Sequence, residues 1–280
     1  MSNQIEQIHS VQLDLLKKFR EVCQKLNLRY TLSSGSMLGA VRHGGFIPWD
    51  DDIDVAMPRP DYEVLVKRAN DLLPNGYFLE HYSTEKDCPN VFAKLKNSNT
   101  TWLSYEYRDL DINHGIGMDI FPIDRVKDPQ KLNKIAKKTF ILILLKNCCD
   151  INYIKTIKRK HKKLMAYLIM PFAKLMGRRR LLIKMDKFNK KYEVGEWTTG
   201  DVILRNKLMP YDLFAEYEDV DFENDKFSCI KNRDGYLSVV YGKNYMELPP
   251  EEKRVVHIVE TVDCDKSFQE YLKTQAKKGA

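Results

Sequence analysis

The chain has 280 residues, 43% of them hydrophobic and 30% charged, which is enough for one large domain or two smaller ones, each with a real core. No uninterrupted apolar run approaches the roughly 20 residues that cross a bilayer, so the composition favours a soluble globular protein over a membrane-spanning one. The net charge of +7 is unevenly spread, because residues 131–191 carry nineteen Lys or Arg against two acids while the remainder has 27 basic and 37 acidic residues. We therefore expect an acidic body with one basic segment.

Cysteine usage and the amino terminus indicate the compartment. The six cysteines show neither a Cys-x-x-Cys pair nor metal-finger spacing, which favours reduced and mostly buried thiols. The first residues, MSNQIEQIHSVQLDLLKKF, are polar and acidic where a secretory signal would be basic and then apolar. We expect a cytoplasmic protein.

The amino-terminal elements lead to a dense motif. Residues 5–26 place apolar side chains at steps of three and four, which predicts an amphipathic helix, and a strand candidate follows at residues 30–33. Ser36 is placed to cap a short helix over residues 37–42, which Gly44 and Gly45 end because positive φ is easy only for glycine. Pro48 then forces an extended residue before it and leads the chain into a run of aspartates.

Four aspartates lie within five residues, at positions 50, 51, 52 and 54. In a strand over residues 52–56, alternate side chains share a face, so the carboxylates of Asp52 and Asp54 lie side by side while Ile53 and Val55 point to the core. Crowded like charges need a cation among them, and hard oxygen ligands suit Mg²⁺ or Mn²⁺. The run predicts a metal site at a cleft.

The following stretch supplies one more acid. Asp61 is placed to cap a helix that runs to about residue 73, and strand candidates follow at residues 77–82, 91–96 and 101–105. Residues 115–124 then form a short apolar strand interrupted by Asp119. Because the neighbours of Asp119 point to the core, its carboxylate faces the other side, and we expect it beside Asp52 and Asp54.

The pattern of the basic segment, residues 129–192, predicts helices. Residues 164–176 are apolar except for Lys174 and lie between the cationic clusters 158–163 and 178–180. This pattern indicates a segment that lies in a membrane interface, held to an anionic leaflet at the inner face of the plasma membrane. The alternative is an ordinary helical subdomain whose apolar runs are core. No nucleic acid is expected as a partner, since the segment lacks a pattern of stacking aromatics.

These observations divide the chain into three parts. Residues 1–128 form a catalytic core, residues 129–192 a basic helical subdomain in contact with membrane or acceptor, and residues 193–280 a mixed element that completes the substrate cleft. Within the last part, residues 232–235 read as a turn. The predicted fold class is α+β, with a mixed β-sheet flanked by helices.

The aspartate run and the helix before it also carry a family resemblance. The stretch from Gly35 to Met57 resembles the LicD-type phosphotransferases, a branch of the nucleotidyltransferase superfamily that includes the fukutin-related proteins. Residues 117–122 look like the later acidic strand of that family, and Tyr241-Gly242 with Leu248-Pro249-Pro250 looks like its carboxyl-terminal signature. The positions in family order are Leu38-Gly39, Arg42, Gly44, Ile47-Pro48-Trp49-Asp50 and Asp52-Ile53-Asp54.

The resemblance implies a nucleotidyltransferase-like sheet and a magnesium-dependent transfer of a phosphorylated alcohol, most typically phosphocholine, from a CDP-alcohol to a hydroxyl of a cell-surface or lipid-linked glycan such as a teichoic acid precursor or lipopolysaccharide. Carried over by position, Asp52 and Asp54 are paired metal ligands, and Asp119 ligates metal and activates the acceptor.

The remaining positions of the motif are expected to contact substrate. Asp50 is an added acid, Gly35, Ser36 and Arg42 contact donor phosphates, and Trp49 is either core or a wall for the alcohol. The backbone N–H groups of Ser36 and Met37 are further hydrogen-bond donors to a phosphate. One departure is the fifteen residues between Ser36 and Asp52, more than in the simplest nucleotidyltransferases.

Two other classes of function stay open from the residues alone. A metal-dependent glycosyltransferase also uses Asp-x-Asp to hold a nucleotide sugar, although it normally places that motif after a longer nucleotide-binding region. A non-catalytic membrane adaptor would use only the basic segment. In that class, replacement of Asp52 would be harmless.

Overall fold

The computed structural model describes residues 2–191, 194–198, 207–254 and 259–278. Its helices are α1 (Ser2–Leu26), α2 (Ser34–His43), α3 (Arg59–Leu72), α4 (Leu132–Cys148), α5 (Ile151–Thr156), α6 (Lys160–Met176), α7 (Arg178–Asn189), α8 (Arg233–Tyr241) and α9 (Phe268–Lys278). Its strands are β1 (Thr31–Leu32), β2 (Asp54–Pro58), β3 (Tyr77–Glu80), β4 (Ala93–Asn97), β5 (Thr101–Leu103), β6 (Ile116–Ile123), β7 (Arg125–Val126), β8 (Trp197–Thr198), β9 (Met209–Pro210), β10 (Tyr217–Phe222), β11 (Asp225–Ile230) and β12 (Thr261–Asp263).

A five-stranded sheet forms the centre, in the order β1-β2-β6-β4-β3. The β2–β6 pair is parallel and the other three pairs are antiparallel, so the sheet is mixed. The prediction of an α+β fold with a mixed sheet flanked by helices is confirmed. The neighbouring strands β2 and β6 are mostly apolar, and their side chains are buried almost throughout.

Helices α1 and α3 pack on the sheet and on each other. The amphipathic spacing predicted for α1 is confirmed, since Leu15, Phe19 and Val22 are buried at steps of four and three. Tyr62 and Leu65 of α3 are buried in the same hydrophobic cluster. The predicted cap of α3 is wrong: Pro58 precedes the helix, and Asp61 lies in its first turn.

The carboxyl-terminal part shares the core of the amino-terminal part. The β10–β11 hairpin packs on β1, where Thr31 Oγ1 accepts the Ile230 N–H at 3.0 Å, and α8 packs on α2. One hydrophobic cluster therefore contains residues from both the amino-terminal and the carboxyl-terminal part of the chain. The turn predicted at residues 232–235 is wrong, because the Asn232 side chain accepts the Gly235 N–H at 3.0 Å and caps α8.

Helices α4 to α7 confirm the prediction of a helical basic segment, and a buried ionic network joins them to the core. Arg59 donates to both carboxylate oxygens of Asp124 at 2.6 Å and to Asp186 of α7 at 2.9 Å. Tyr82 donates to the other Asp186 oxygen at 2.7 Å. Asp186 is 2% exposed, and Arg59 and Lys190 lower the pKa of its carboxyl despite the opposing effect of burial. The network fixes α7 against α3 and the end of β6.

Two general expectations concern thiols and membrane spans. All six cysteines of the sequence fall within the described residues, and all six are free thiols, four of them buried. Among the described helices, none combines the length and the apolar composition that a bilayer crossing requires.

Candidate functional site

The first turn of α2 and the start of β2 are held together by buried hydroxyl groups. Ser36 Oγ accepts the Asp54 N–H at 2.8 Å, and the Ser33 N–H donates to the Asp54 carbonyl at 3.0 Å. The Tyr236 hydroxyl of α8 accepts the Ser34 N–H at 3.1 Å and lies 2.9 Å from Ser33 Oγ. Ser36 and Tyr236 are both buried. Ser36 therefore acts inside the helix as a brace for Asp54, and the prediction that it caps the helix is wrong, because Ser33 occupies that position.

Two side chains of helix α1 bind the backbone of the aspartate run. His9 Nε2 lies 2.6 Å from the Asp50 carbonyl oxygen, and Gln12, which is 1% exposed, donates to the Asp51 carbonyl at 2.7 Å. The His9 ring also stacks on Phe46 with centroids 4.1 Å apart. These contacts come from residues three apart on one face of α1, and they set the path of the loop that enters β2.

The carboxylate of Asp50 lies directly against Gly35. A Cβ at position 35 would overlap Asp50 Oδ2, so glycine leaves room for the carboxylate in this position. A carboxylate at the start of α2 is favourable, because the helix dipole places positive charge there. We expected the N–H groups of this turn to bind a donor phosphate, and for Met37 the structure disagrees, since the Met37 N–H donates to Ser33 O at 3.1 Å.

The structure places Asp54 opposite Asp119 on adjacent strands. The two residues are register partners in the parallel β2–β6 pair, and the Asp119 N–H donates to the Ile53 carbonyl at 2.9 Å. Paired residues of neighbouring strands project to the same face. The strand begins at Asp54, so Asp52 lies in the extended segment before it, yet the predicted alternation persists because Ile53 and Val55 are fully buried.

A lysine lies among these acids. Lys94 is the register partner of Asp119 across the antiparallel β4–β6 pair, and its Nζ lies 2.6 Å from Asp119 Oδ1. Burial favours the neutral amine, but Asp119, Glu80 and Asp52 together raise the pKa of Lys94, so the side chain is a cation. The positive group that the crowded acids require is therefore present in the chain itself. Sequence reasoning missed it, although Lys94 stands between buried Ala93 and Leu95 in a predicted strand.

The chemistry and arrangement of the acids determine how they could hold a metal ion. Where side chains are described, no three His, Cys, Asp or Glu residues form a group that could hold a metal ion, and one oxygen of Asp119 is bound by Lys94. A protein cage of three carboxylates is therefore not assembled. Mg²⁺ is usually held by one or two carboxylates together with water and substrate phosphates, and the two predicted ligands, Asp52 and Asp54, are of the right kind and number for that mode. The residues fit a magnesium ion that arrives with a phosphate ligand.

Arg42 and Trp49 join this region to the carboxyl-terminal segment. Arg42 Nη1 donates to the carbonyls of Tyr245 at 3.0 Å and Glu247 at 3.2 Å, and burial lowers the pKa of its guanidinium. The Arg254 guanidinium carbon lies 4.3 Å from the centroid of the Trp49 ring, in the geometry of a cation–π contact. Both side chains thus hold the segment 245–254 over α2 and the aspartate loop. The roles predicted for them, donor-phosphate binding by Arg42 and either core packing or a wall for the alcohol by Trp49, stay predictions. Tyr236 and Arg254 carried no signal in the sequence.

Residues 27–139 match the family model for the LicD/FKTN/FKRP nucleotidyltransferase domain. This part of the chain is therefore similar to the LicD-type nucleotidyltransferases. The match includes α2, the aspartate run, Lys94 and Asp119, and it confirms the resemblance inferred from the motifs. The matched range therefore contains every acid of the candidate site, and helix α4 begins near its end.

The curated relatives extend the likeness beyond this domain. The lipopolysaccharide cholinephosphotransferase LicD of Haemophilus influenzae is 27% identical over 265 aligned residues, covering 89% of this chain and 93% of the relative. An uncharacterised protein of Rickettsia prowazekii is 34% identical over 89 residues, covering 30% of this chain and 34% of its own length. The human ribitol 5-phosphate transferase FKRP is 50% identical over 36 residues, covering 13% of this chain and 7% of its own length. The two named relatives are both phosphotransferases, which agrees with the class of enzyme expected.

Proposed function

We propose that this protein is a phosphotransferase that moves a phosphorylated alcohol from a CDP-activated donor to a hydroxyl of a cell-surface glycan precursor, with release of CMP. Phosphocholine is the first alcohol to test, because the relative from Haemophilus influenzae is a cholinephosphotransferase that is similar over most of both chains. The observation that carries the proposal is the register of Asp54 and Asp119 with Lys94 beside them.

The reaction breaks the bond between the alcohol phosphate and CMP and forms a bond between that phosphorus and the acceptor oxygen. Its main demands are positioning and compensation of phosphate charge. Asp52 and Asp54 would hold Mg²⁺ or Mn²⁺, which neutralises phosphate oxygens when bound. Asp50 and the first turn of α2 form the neighbouring edge of the site through the contact with Gly35.

Asp119 receives the proton of the acceptor hydroxyl in this proposal. Its Oδ1 is bound by the Lys94 ammonium, so the carboxylate is fixed in direction while the acceptor approaches. Lys94 is also within electrostatic range of Asp52, and its charge offsets the repulsion between the acids and the incoming phosphates. The chain thereby contributes one permanent cation to a site in which anions meet.

The donor is tested by thermal unfolding with Mg²⁺ and one CDP-alcohol at a time, using CDP-choline, CDP-ethanolamine, CDP-ribitol and CDP-glycerol. A ligand that binds the folded state raises the midpoint according to its concentration and affinity. CMP release with a glycan acceptor then measures turnover. A chain that turns over UDP-sugars and none of the CDP-alcohols would instead be a glycosyltransferase, which also uses an Asp-x-Asp motif.

Replacement of single acids separates catalysis from binding. Asp52→Asn is expected to lower CMP release by roughly a hundredfold or more, because charge stabilisation at the reacting phosphate is lost. The matched control is Asp221→Asn on β10, where the carboxylate is 79% exposed and pairs with Lys226. Equal turnover of the two variants would remove Asp52 from the proposed mechanism.

A further inference from the structure

Helix α6 carries an exposed apolar stripe that no other part of the described chain covers. The stripe consists of Leu164, Met165, Leu168, Phe172 and Leu175, which are 62%, 57%, 73%, 58% and 80% exposed. With 3.6 residues per turn, these five positions fall within an arc of about 100° on the helix surface. The stripe is therefore a continuous face and not a scatter of single exposed residues.

The opposite face of α6 is the one that packs on the protein. Ala166 and Ala173 are 2% and 0% exposed, and they lie in a small cluster with Cys148 of α4 and Ile154 of α5. Ile169 and Met170 also pack against this cluster, while the five side chains of the stripe stand on the other side of the helix. A core role does not account for the stripe, because it points away from the core.

The surroundings of the stripe are cationic. Lys158, Arg159, Lys160 and Lys162 are exposed at the amino-terminal end of α6, and Arg179 and Arg180 are exposed just beyond its carboxyl-terminal end. No acidic residue occurs between Asp150 and Asp186. An apolar face bounded by positive charge at both ends is complementary to a surface that is apolar inside and anionic outside.

We propose that the α6 stripe docks on an anionic lipid bilayer, with the helix lying in the plane of the interface. A second copy of the chain is a poor occupant, because a twofold contact would bring the same cationic clusters against each other. The stripe itself offers only C–H groups and a thioether sulfur, which suit acyl chains, while the lysines and arginines reach the headgroups. This inference goes beyond the proposed transfer reaction and does not depend on it.

The test is flotation of the full chain with vesicles of phosphatidylcholine alone or of phosphatidylcholine mixed equally with phosphatidylglycerol. Flotation with the mixed vesicles, weakened by added salt, is the expected result. The double variant Leu168→Ser with Leu175→Ser should lower partitioning by at least about tenfold, because two exposed leucines lose their contact with lipid. Lys160→Gln with Lys162→Gln should weaken binding to the anionic vesicles selectively.

Matched controls change equivalent groups elsewhere. Leu272→Ser removes an exposed leucine from α9, and Lys25→Gln with Lys67→Gln removes two exposed charges from α1 and α3, and all should partition like the wild type. Absence of flotation with anionic vesicles would overturn the proposal, as would equal partitioning of the stripe variant and its control. A dimer in light scattering that the stripe variant dissociates would assign the face to a second copy of the chain instead.

Discussion

Lys94 and Asp119 face each other across the antiparallel pair formed by β4 and β6, with Nζ 2.6 Å from Oδ1. Asp119 is at the same time the register partner of Asp54 in the parallel pair formed by β2 and β6. One acid on the central strand is therefore bounded by a cation on one side and by another acid on the other. This three-strand arrangement fixes the direction of the Asp119 carboxylate before any substrate is bound.

The first prediction concerns that lysine. Lys94→Met keeps the length of the side chain and removes its charge, so we expect CMP release to fall by roughly a hundredfold while the fold is retained. Lys94→Arg should restore part of the loss, since it keeps the charge with a different geometry. Lys226→Met on β11, where the partner Asp221 is exposed, is the control. Wild-type kcat/KM in Lys94→Met would remove this side chain from the mechanism.

The second prediction concerns the hydroxyl that braces α2. Tyr236→Phe removes the hydroxyl that contacts Ser33 Oγ and the Ser34 N–H, which should lower the free energy of unfolding by about 1–2 kcal/mol. Because the same turn holds Asp54 through Ser36, kcat should also fall. Tyr245→Phe, whose hydroxyl bonds Asp234 at an exposed site, serves as the comparison. Indistinguishable urea midpoints for the two variants would contradict the prediction.

The third prediction concerns the ionic network between the core and α7. Arg59→Met leaves the carboxylates of Asp124 and Asp186 buried without their main partner, so we expect a loss of about 3–5 kcal/mol in the free energy of unfolding. Arg68→Met removes an arginine whose partner Asp71 is 71% exposed, and it should cost less than about 1 kcal/mol. Chemical denaturation measures both, and similar losses would show that burial of the network does not matter.

The fourth prediction concerns pH. Burial lowers the pKa of His81 to about 4, against an ordinary value of 6.5 in the unfolded chain. Below pH 6.5 the unfolded state therefore binds a proton at His81 that the folded state does not bind. The free energy of unfolding decreases as the pH falls from 6.5 to about 4, by on the order of 3 kcal/mol in all. His81→Asn should show a shallower loss across this window in urea titrations. Parallel curves for the variant and the wild type would assign the pH dependence to other groups.

The acids of the candidate site could be predicted from the sequence because the alternation of buried and exposed side chains is decided within a single strand. The alternation around Ile53 and Val55 and the position of Asp119 between two core residues follow from the period of two in a strand, and the structure keeps both. The pairing of Lys94 with Asp119 could not be predicted in the same way. It depends on β4 lying next to β6, and strand order is decided by tertiary packing.

Two further differences have physical reasons of the same kind. Residues 232–235 were predicted as a turn because Asn, Asp and Gly favour turns, but the same residue types also begin helices, and Asn232 begins α8. The apolar run in residues 164–176 was compatible with either a core or a membrane face. Composition alone does not divide a helix into its two sides, and only the packed position of Ala166 and Ala173 does so.

The ring of Phe92 touches both halves of the molecule. It packs against Phe121 of β6, with centroids 4.6 Å apart, and it also borders the cluster formed by Leu142 of α4 and Leu181 of α7. Lys94 follows only two residues later along the same chain. Packed aromatic contacts are nearly incompressible. A movement of the basic helices when they bind a surface would therefore be transmitted through the Phe92 ring to Lys94. If α6 docks on a bilayer as proposed, turnover should therefore depend on whether anionic vesicles are present.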